Sequence, residues 1–266
     1  MAGGARLVPA TPVRPMQTIE VNHIAHARAC HSIACSAQPS SDTVPDVEKF
    51  IPNPADAAPE DLFPPGTANG SYQTPHQRFR SLGSPKHILI YTDGACSNNG
   101  KEDAAAGCAF YYRPAGTKAS GERTTGVVSF RLENHGPNGL PGLQTSNRAE
   151  LRAVIAALQY RVWHYRRGKP GEARKRIVIA TDSEYVVLGI TTWIKNWQEN
   201  GWLNSNGRLV ANRDLWDELL KVIGRLGRHG TKVQFWRIPR RLNTVADKAA
   251  KAATALPPVA KYATIR

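Results

Sequence analysis

Four acidic residues stand where side-chain chemistry is conceivable. The apolar run in "HILIYTDGACSNNG" stops on Asp93, and a second run, "IVIATDSE", stops the same way on Asp182. Glu150 lies in "TSNRAELRAVIAALQY" and Asp247 in "LNTVADKAAKAAT". Each has an ordinary reading by itself: Asp-Gly is a common turn pair, and an acid in the first turn of a helix is favoured by the helix dipole. Together they allow more. If the two runs are parallel neighbouring strands, their ends lie side by side at ~4.8 Å, and repulsion raises one aspartate pKa unless a cation neutralises the pair. Three or four carboxylates converging at strand ends make a hard, oxygen-rich site that suits Mg2+ or Mn2+ better than zinc.

Such a site needs elements that carry the acids to one place. The pattern predicts strands near 86–92, 106–113 and 124–132, then a helix near 146–166 and a strand near 176–181. Helical stretches near 183–200 and 212–228, a strand near 232–238 and a closing helix near 243–255 complete it. That order suggests an α/β fold: an antiparallel meander, then crossovers that lay later strands parallel to the first, with helices on both faces. On the long helix the apolar stripe Leu151, Val154, Ile155, Leu158 and Val162 extends back to Glu150, which would then face the sheet, where an unpaired carboxylate is costly. Ala246, Ala249, Ala250 and Ala253 give the last helix a face that can approach the sheet closely.

The charge is unevenly placed. Residues 1–82 hold 6 Lys and Arg against 7 Asp and Glu, and the remainder 29 against 14, so the net +14 is −1 plus +15 and the excess sits on the regular part of the chain. An excess of that size favours a polyanionic partner, nucleic acid before membrane. Cys30, Cys35, Cys96 and Cys108 show neither metal-ligand nor disulfide spacing. No stretch approaches the roughly 20 apolar residues that span a bilayer, so a soluble intracellular protein is expected. Residues 1–82 carry Pro, Ser, Ala and Gly clusters and are expected to be a disordered extension, followed by a folded domain over 83–258 and a tail over 259–266. Arg6, Arg14 and Arg28 against Glu20 are what an import segment would carry, but Pro9, Pro12 and Pro15 interrupt any amphipathic helix, which leaves nucleus, cytoplasm and mitochondrion open.

The ordered motifs "YTDGACSNNG", "QTSNRAEL", "TDSEYVVLGITTWIKNWQENGW", "VANRDLW" and "NTVADKAA" resemble the type 1 ribonuclease H family, in a eukaryotic, fungal-like form. The resemblance implies a five-stranded mixed sheet of order 3-2-1-4-5 and hydrolysis of the RNA strand of RNA-DNA hybrids. It implies two Mg2+ ions, or Mn2+, held by Asp93, Glu150, Asp182 and Asp247, and 5′-phosphate and 3′-hydroxyl products. It also implies that Cys96, Asn99, Ser146 and Asn147 meet the minor groove and the RNA 2′-hydroxyls, with Ser146 standing where asparagine is usual. Thr145 and Asn212 would grip a DNA phosphate, and Trp193, Trp197 and Ser205 would line the path of its sugar, while Trp163, Trp216 and Trp236 are read as packing. The segment 196–208 would be the substrate-handling protrusion, with Lys195, Arg208 and Arg213 as its cations.

Two departures from that family carry weight. The link from Pro239 to Asp247 is short and lacks the family's histidine-bearing loop; Arg240 and Arg241 take its place and are expected to compensate in part. His87, His135, His164 and His229 fall outside the motifs, and residues 133–143 form an enlarged loop. A monomer acting on hybrid is the leading expectation. A hybrid-binding module without nuclease activity, and a fold relative acting on other nucleic acids, are the alternatives.

Overall fold

The computed structural model describes residues 47–65, 78–117, 123–160 and 175–265. The expected helical reach to residue 166, Trp163, His164 and the candidate import segment lie outside the described residues.

Strand β1 (Glu48–Lys49), helix α1 (Pro59–Leu62) and strand β2 (Phe79–Ser81) precede the long strand β3 (Ser84–Ser97). Strands β4 (Ala105–Tyr111), β5 (Gly116–Thr117), β6 (Arg123–Thr124) and β7 (Val127–Arg131) follow, then helix α2 (Ser146–Gln159) and strand β8 (Lys175–Thr181). The second half holds α3 (Glu184–Leu188), α4 (Ile194–Glu199), α5 (Arg213–Arg228), β9 (Thr231–Arg237) and α6 (Thr244–Ala253). The main sheet runs β1-β9-β8-β3-β4-β7, and β2 pairs antiparallel with β3. Its central five strands, β7-β4-β3-β8-β9, have the predicted order. The meander β3-β4-β7 is antiparallel, and β3, β8 and β9 are parallel.

Strand β3 is buried on both faces, which is why its sequence reads as a continuous apolar run and does not alternate. Ile88 and Ile90 join Phe110, Ile177, Ile179 and Phe235 beneath α2 and α5. Leu89 and Tyr91 face the other way, with Val178, Ala180 and Trp236. That second face is covered by the segment expected to be disordered. Phe63 and Phe79 are buried in it, and Phe50 lies 4.9 Å from the Trp236 ring. The folded region therefore begins before residue 83, and β1 and β2 add two strands to the expected five. The apolar residues in "KFIP", "DLFP" and "RFRS" come singly or in pairs without period, so no pattern announces them.

The expected helix over 183–200 is interrupted. Residues Gly189–Trp193 form a π-helical turn between α3 and α4. A Cβ on Gly189 would meet the Trp216 ring at 2.2 Å, so the widened turn admits a large indole from α5.

The chain after α6 is built into the fold. Arg152 of α2, fully buried, donates to Glu133 (2.6 and 3.0 Å) and to the Ala263 carbonyl (2.6 Å). Its guanidinium lies between the rings of Phe130 and Tyr262, at 4.8 and 4.4 Å. Residues 259–265 thus complete the surroundings of a buried ion pair, a role no motif signals.

Phe63→Ala is expected to cost about 3 kcal/mol, since it empties a buried aromatic site against Leu89, Tyr91 and Trp236. Urea denaturation measures it; an unchanged midpoint would mean that this segment adds nothing to the fold.

Candidate functional site

Register places the two aspartates. Tyr91 pairs with Ala180 in the parallel ladder, and Asp93 and Asp182 each lie two residues further on. Strand β3 does not stop at Asp93, as expected, but continues to Ser97 paired with β4, Asp93 opposite Ala109. The turn comes later, at Asn98 and Gly100, both with positive φ.

Glu150 arrives through a close crossing. A Cβ on Gly94 would lie 2.1 Å from the Glu150 nitrogen, so only glycine lets β3 pass under the first turn of α2. Thr145 caps α2, its hydroxyl accepting from the Arg148 N–H at 3.3 Å. Gln144 ties the helix start to the sheet by accepting from Ala106 N–H (3.0 Å) and donating to the Leu132 carbonyl (3.3 Å).

Asp247 and two donors come from the last link. Residues Arg240–Leu242 form a 3-10 turn leading to Asn243 and α6. Buried Asn243 donates through Nδ2 to Asp182 Oδ1 (2.7 Å), to the Thr92 carbonyl (3.0 Å) and, more weakly, to Asp93 Oδ1 (3.5 Å). Arg240 donates to Asp247 Oδ1 (2.8 Å) and lies 4.0 Å from Asp182 Oδ2, while Lys251 donates to Asp247 Oδ2 (2.7 Å). Arg241 is exposed.

The four carboxylates therefore meet at one end of the sheet, and their electrostatics record it. Burial, and then the charge of Asp182, push the Asp93 carboxyl up to about 8. Burial, Asp93 and Asp182 raise Glu150 well above the usual range. Asp247 differs: burial opposes its charge, yet hydrogen bonds from Lys251 and Arg240 hold it below its ordinary value. Among the described residues no group of three His, Cys, Asp or Glu side chains is arranged to hold a metal ion, and an amide, a guanidinium and an ammonium engage carboxylate oxygens here. The donor set still fits a hard divalent cation. It offers only carboxylate oxygens, Glu150 Oε2 is enclosed without a partner, and the repulsion calls for a positive charge.

The candidate nucleic-acid residues fall around this site unevenly. Asn99 Oδ1 accepts from the Ser146 N–H at 3.3 Å, which joins the turn after β3 to the start of α2; Asn147 is exposed beside them. The half-buried Cys96 thiol donates to the Ser97 and Gln144 carbonyls, both at 3.4 Å. Thr145 and Asn212 are linked by Arg148, which extends from the helix that Thr145 caps, reaches Asn212 Oδ1 (3.4 Å) and is clamped by Asp214 (2.8 and 2.5 Å). Trp197 is buried against Trp202 and Trp216, so it packs where an open wall was expected, and half-buried Trp193 keeps the accessible surface of the pair. Ser205 is exposed on the turn closed by the Leu203–Leu209 bridge. Trp216 and Trp236 pack as expected. His135 is engaged with the Ala260 carbonyl.

Sequence reasoning passed over Asn243, Gln144 and the Arg148–Asp214 pair, although all four stand inside the quoted motifs. Tyr185, whose hydroxyl accepts from Asn212 Nδ2 and Trp216 Nε1 (both 3.2 Å), was hidden among the apolar residues of its helix.

A mixed sheet of this order, with acids at the ends of its central parallel strands and helices on both faces, defines the ribonuclease H-like fold. The sequence model of the RNase H family matches residues 85–255, and the chain belongs to that family. It is 30% identical over 163 residues to "Ribonuclease H1" of Mus musculus, covering 61% of this chain and 47% of the mouse protein. It is 40% identical over 134 residues to "Ribonuclease H" of Thermosynechococcus vestitus, covering 50% of this chain and 69% of that one. The chain thus spans about half the length of the mammalian relatives it matches. Among solved structures it is similar to LC9-RNase H1, at 25% identity and a TM-score of 0.43, covering 63% of this chain and 72% of that one.

A carboxyl whose folded pKa is raised supports the metal-free fold fully below its ordinary value of 3.8, and that support is lost as pH rises through about 8. Asp93→Asn removes the charge and is expected to stabilise metal-free protein at pH 8 by on the order of 2 kcal/mol, the gain vanishing near pH 4. Urea denaturation in EDTA at the two pH values checks this; equal stability of variant and wild type at pH 8 would refute the repulsion.

Proposed function

We propose that the chain is a metal-dependent endoribonuclease that cuts the RNA strand of RNA-DNA hybrids, leaving 5′-phosphate and 3′-hydroxyl ends. The observation that carries this reading is the convergence of Asp93, Glu150 and Asp182 at one sheet end, inside the segment that matches the RNase H family. The names of the matched relatives support it.

Asp93, Glu150, Asp182 and Asp247 are proposed to hold two divalent ions, Mg2+ or Mn2+. When bound, these supply an acidified water as nucleophile and offset charge on the scissile phosphate. The chain's own groups do the rest. Neutralisation would keep Asp93 and Glu150 ionised against their raised pKa values. Asn99, Ser146 and Asn147, brought together at the α2 start, are placed to read 2′-hydroxyls, with Cys96 beneath them. Thr145 and Asn212, organised by Arg148, would take a phosphate of the DNA strand, and Trp193 and Ser205 the path beyond it. Arg240 is exposed beside Asp182 and Asp247, where a guanidinium can meet phosphate.

No helix among the described residues is long and apolar enough to cross a membrane. An intracellular monomer is part of this proposal. A second reading, binding of hybrid without cleavage, draws on the engagement of both Asp247 oxygens by Arg240 and Lys251.

End-labelled RNA-DNA hybrid, RNA duplex and DNA duplex, each with Mg2+ or EDTA, separate these readings. Cutting of RNA in the hybrid alone, only with Mg2+, is the expected result; binding without cutting would favour the second. Asp93→Asn is expected to reduce cleavage to background while hybrid binding persists, and metal-dependent turnover in that variant would remove the assignment. Arg240→Ala with Arg241→Ala should slow turnover and flatten the salt dependence of hybrid binding by about one to two units of slope. No change in either would show that these arginines do not compensate for the missing histidine loop.

A further inference from the structure

Asn243 occupies the N-cap position of α6, where an asparagine side chain ordinarily accepts a hydrogen bond from its own helix. It makes no such bond. The side chain is instead 1% exposed and turned toward the sheet, with Nδ2 donating to Asp182 Oδ1 (2.7 Å) and the Thr92 carbonyl (3.0 Å) and lying 3.5 Å from Asp93 Oδ1. Its own Oδ1 is buried without a partner. A residue that forgoes its cap and leaves a buried oxygen unpaired is poorly spent on stability alone. What the arrangement does achieve is geometric: one amide holds one oxygen of Asp182, lies beside the facing oxygen of Asp93, and grips the β3 backbone next to Asp93.

We propose that Asn243 is the positioning residue of the carboxylate site: it sets the separation and rotation of Asp93 and Asp182, and through them decides how tightly the site takes a divalent cation. The inference rests on these carboxylates being metal ligands. Asn243 need not touch the cation. Engaging Asp182 through Oδ1 leaves Oδ2 facing only the Arg240 guanidinium at 4.0 Å, and the bond to the Thr92 carbonyl fixes the amide, so the two acids are held close before any cation arrives. Without the donor, their mutual repulsion would rotate them apart, and binding would have to reassemble them.

The experiment compares wild type with Asn243→Leu, which keeps the shape and loses the donor, and with Asn243→Ala. Each full chain is titrated with Mn2+ in a calorimeter without nucleic acid, well below its melting temperature, and hybrid affinity is measured separately in EDTA. The expected result is a ten- to a hundred-fold weaker Mn2+ affinity in either variant with hybrid affinity unchanged, the range typical of residues that orient metal ligands. A folded variant with wild-type Mn2+ affinity overturns the proposal, as does a parallel loss of Mn2+ and hybrid affinity, which marks general disruption. Wild type that binds Mn2+ but leaves hybrid uncut would sink the nuclease reading and leave this one standing; wild type that takes no Mn2+ overturns both.

Discussion

Repulsion between carboxylates held out of water is the constraint on which the rest of the structure depends. Two parallel strands in register carry aspartates just past the end of their shared ladder, and a glycine crossing brings a glutamate down on top of them. Nothing in the local sequence favours such an arrangement energetically, and like charges at this depth destabilise the fold unless something positive answers them. The fold supplies partial answers. An asparagine amide bridges the first two acids, and an arginine and a lysine hold the fourth. Burial and its neighbours leave Glu150 with a sealed oxygen and no such partner. Charged together, these carboxylates weigh against the fold that gathers them.

Holding that arrangement takes a rigid platform. The central strands are covered on both faces, by α2 and α5 on one side and by α6 with an aromatic group from residues 50–79 on the other. Gly94 and Gly107 allow the two helices that carry Glu150 and Asp247 to sit against β3 and β4 at backbone distance; a Cβ at Gly107 would lie 2.4 Å from the Ala250 carbonyl oxygen. The helix positions are thereby fixed by contact between main chains, which tolerates far less drift than contact between long side chains.

Much of this is legible in the residues. Apolar runs ending on Thr-Asp announce Asp93 and Asp182, and helical spacing puts Glu150 on the face turned to the sheet, so fold and acidic cluster follow from pattern and motif. The less legible parts have physical reasons. Phe50, Phe63 and Phe79 stand singly or beside one apolar neighbour in polar sequence, and such anchors have no period to detect. Trp197 matches a motif yet lies buried, packed between the rings of Trp202 and of Trp216 from α5. Asn243 looks like a helix cap, and only its side-chain direction reveals the other use. Arg152 and Glu133 are 19 positions apart and meet a third party more than a hundred positions later.

That last contact has a consequence for how the molecule is made. The socket around Arg152 stays open until Tyr262 and Ala263 have left the ribosome, since they supply its final ring and carbonyl. Helix α2 can dock on the emerging sheet earlier, but with a charged side chain still facing an unfinished wall. The helix that bears Glu150 therefore reaches its settled environment only once residues 262 and 263 have docked against Arg152.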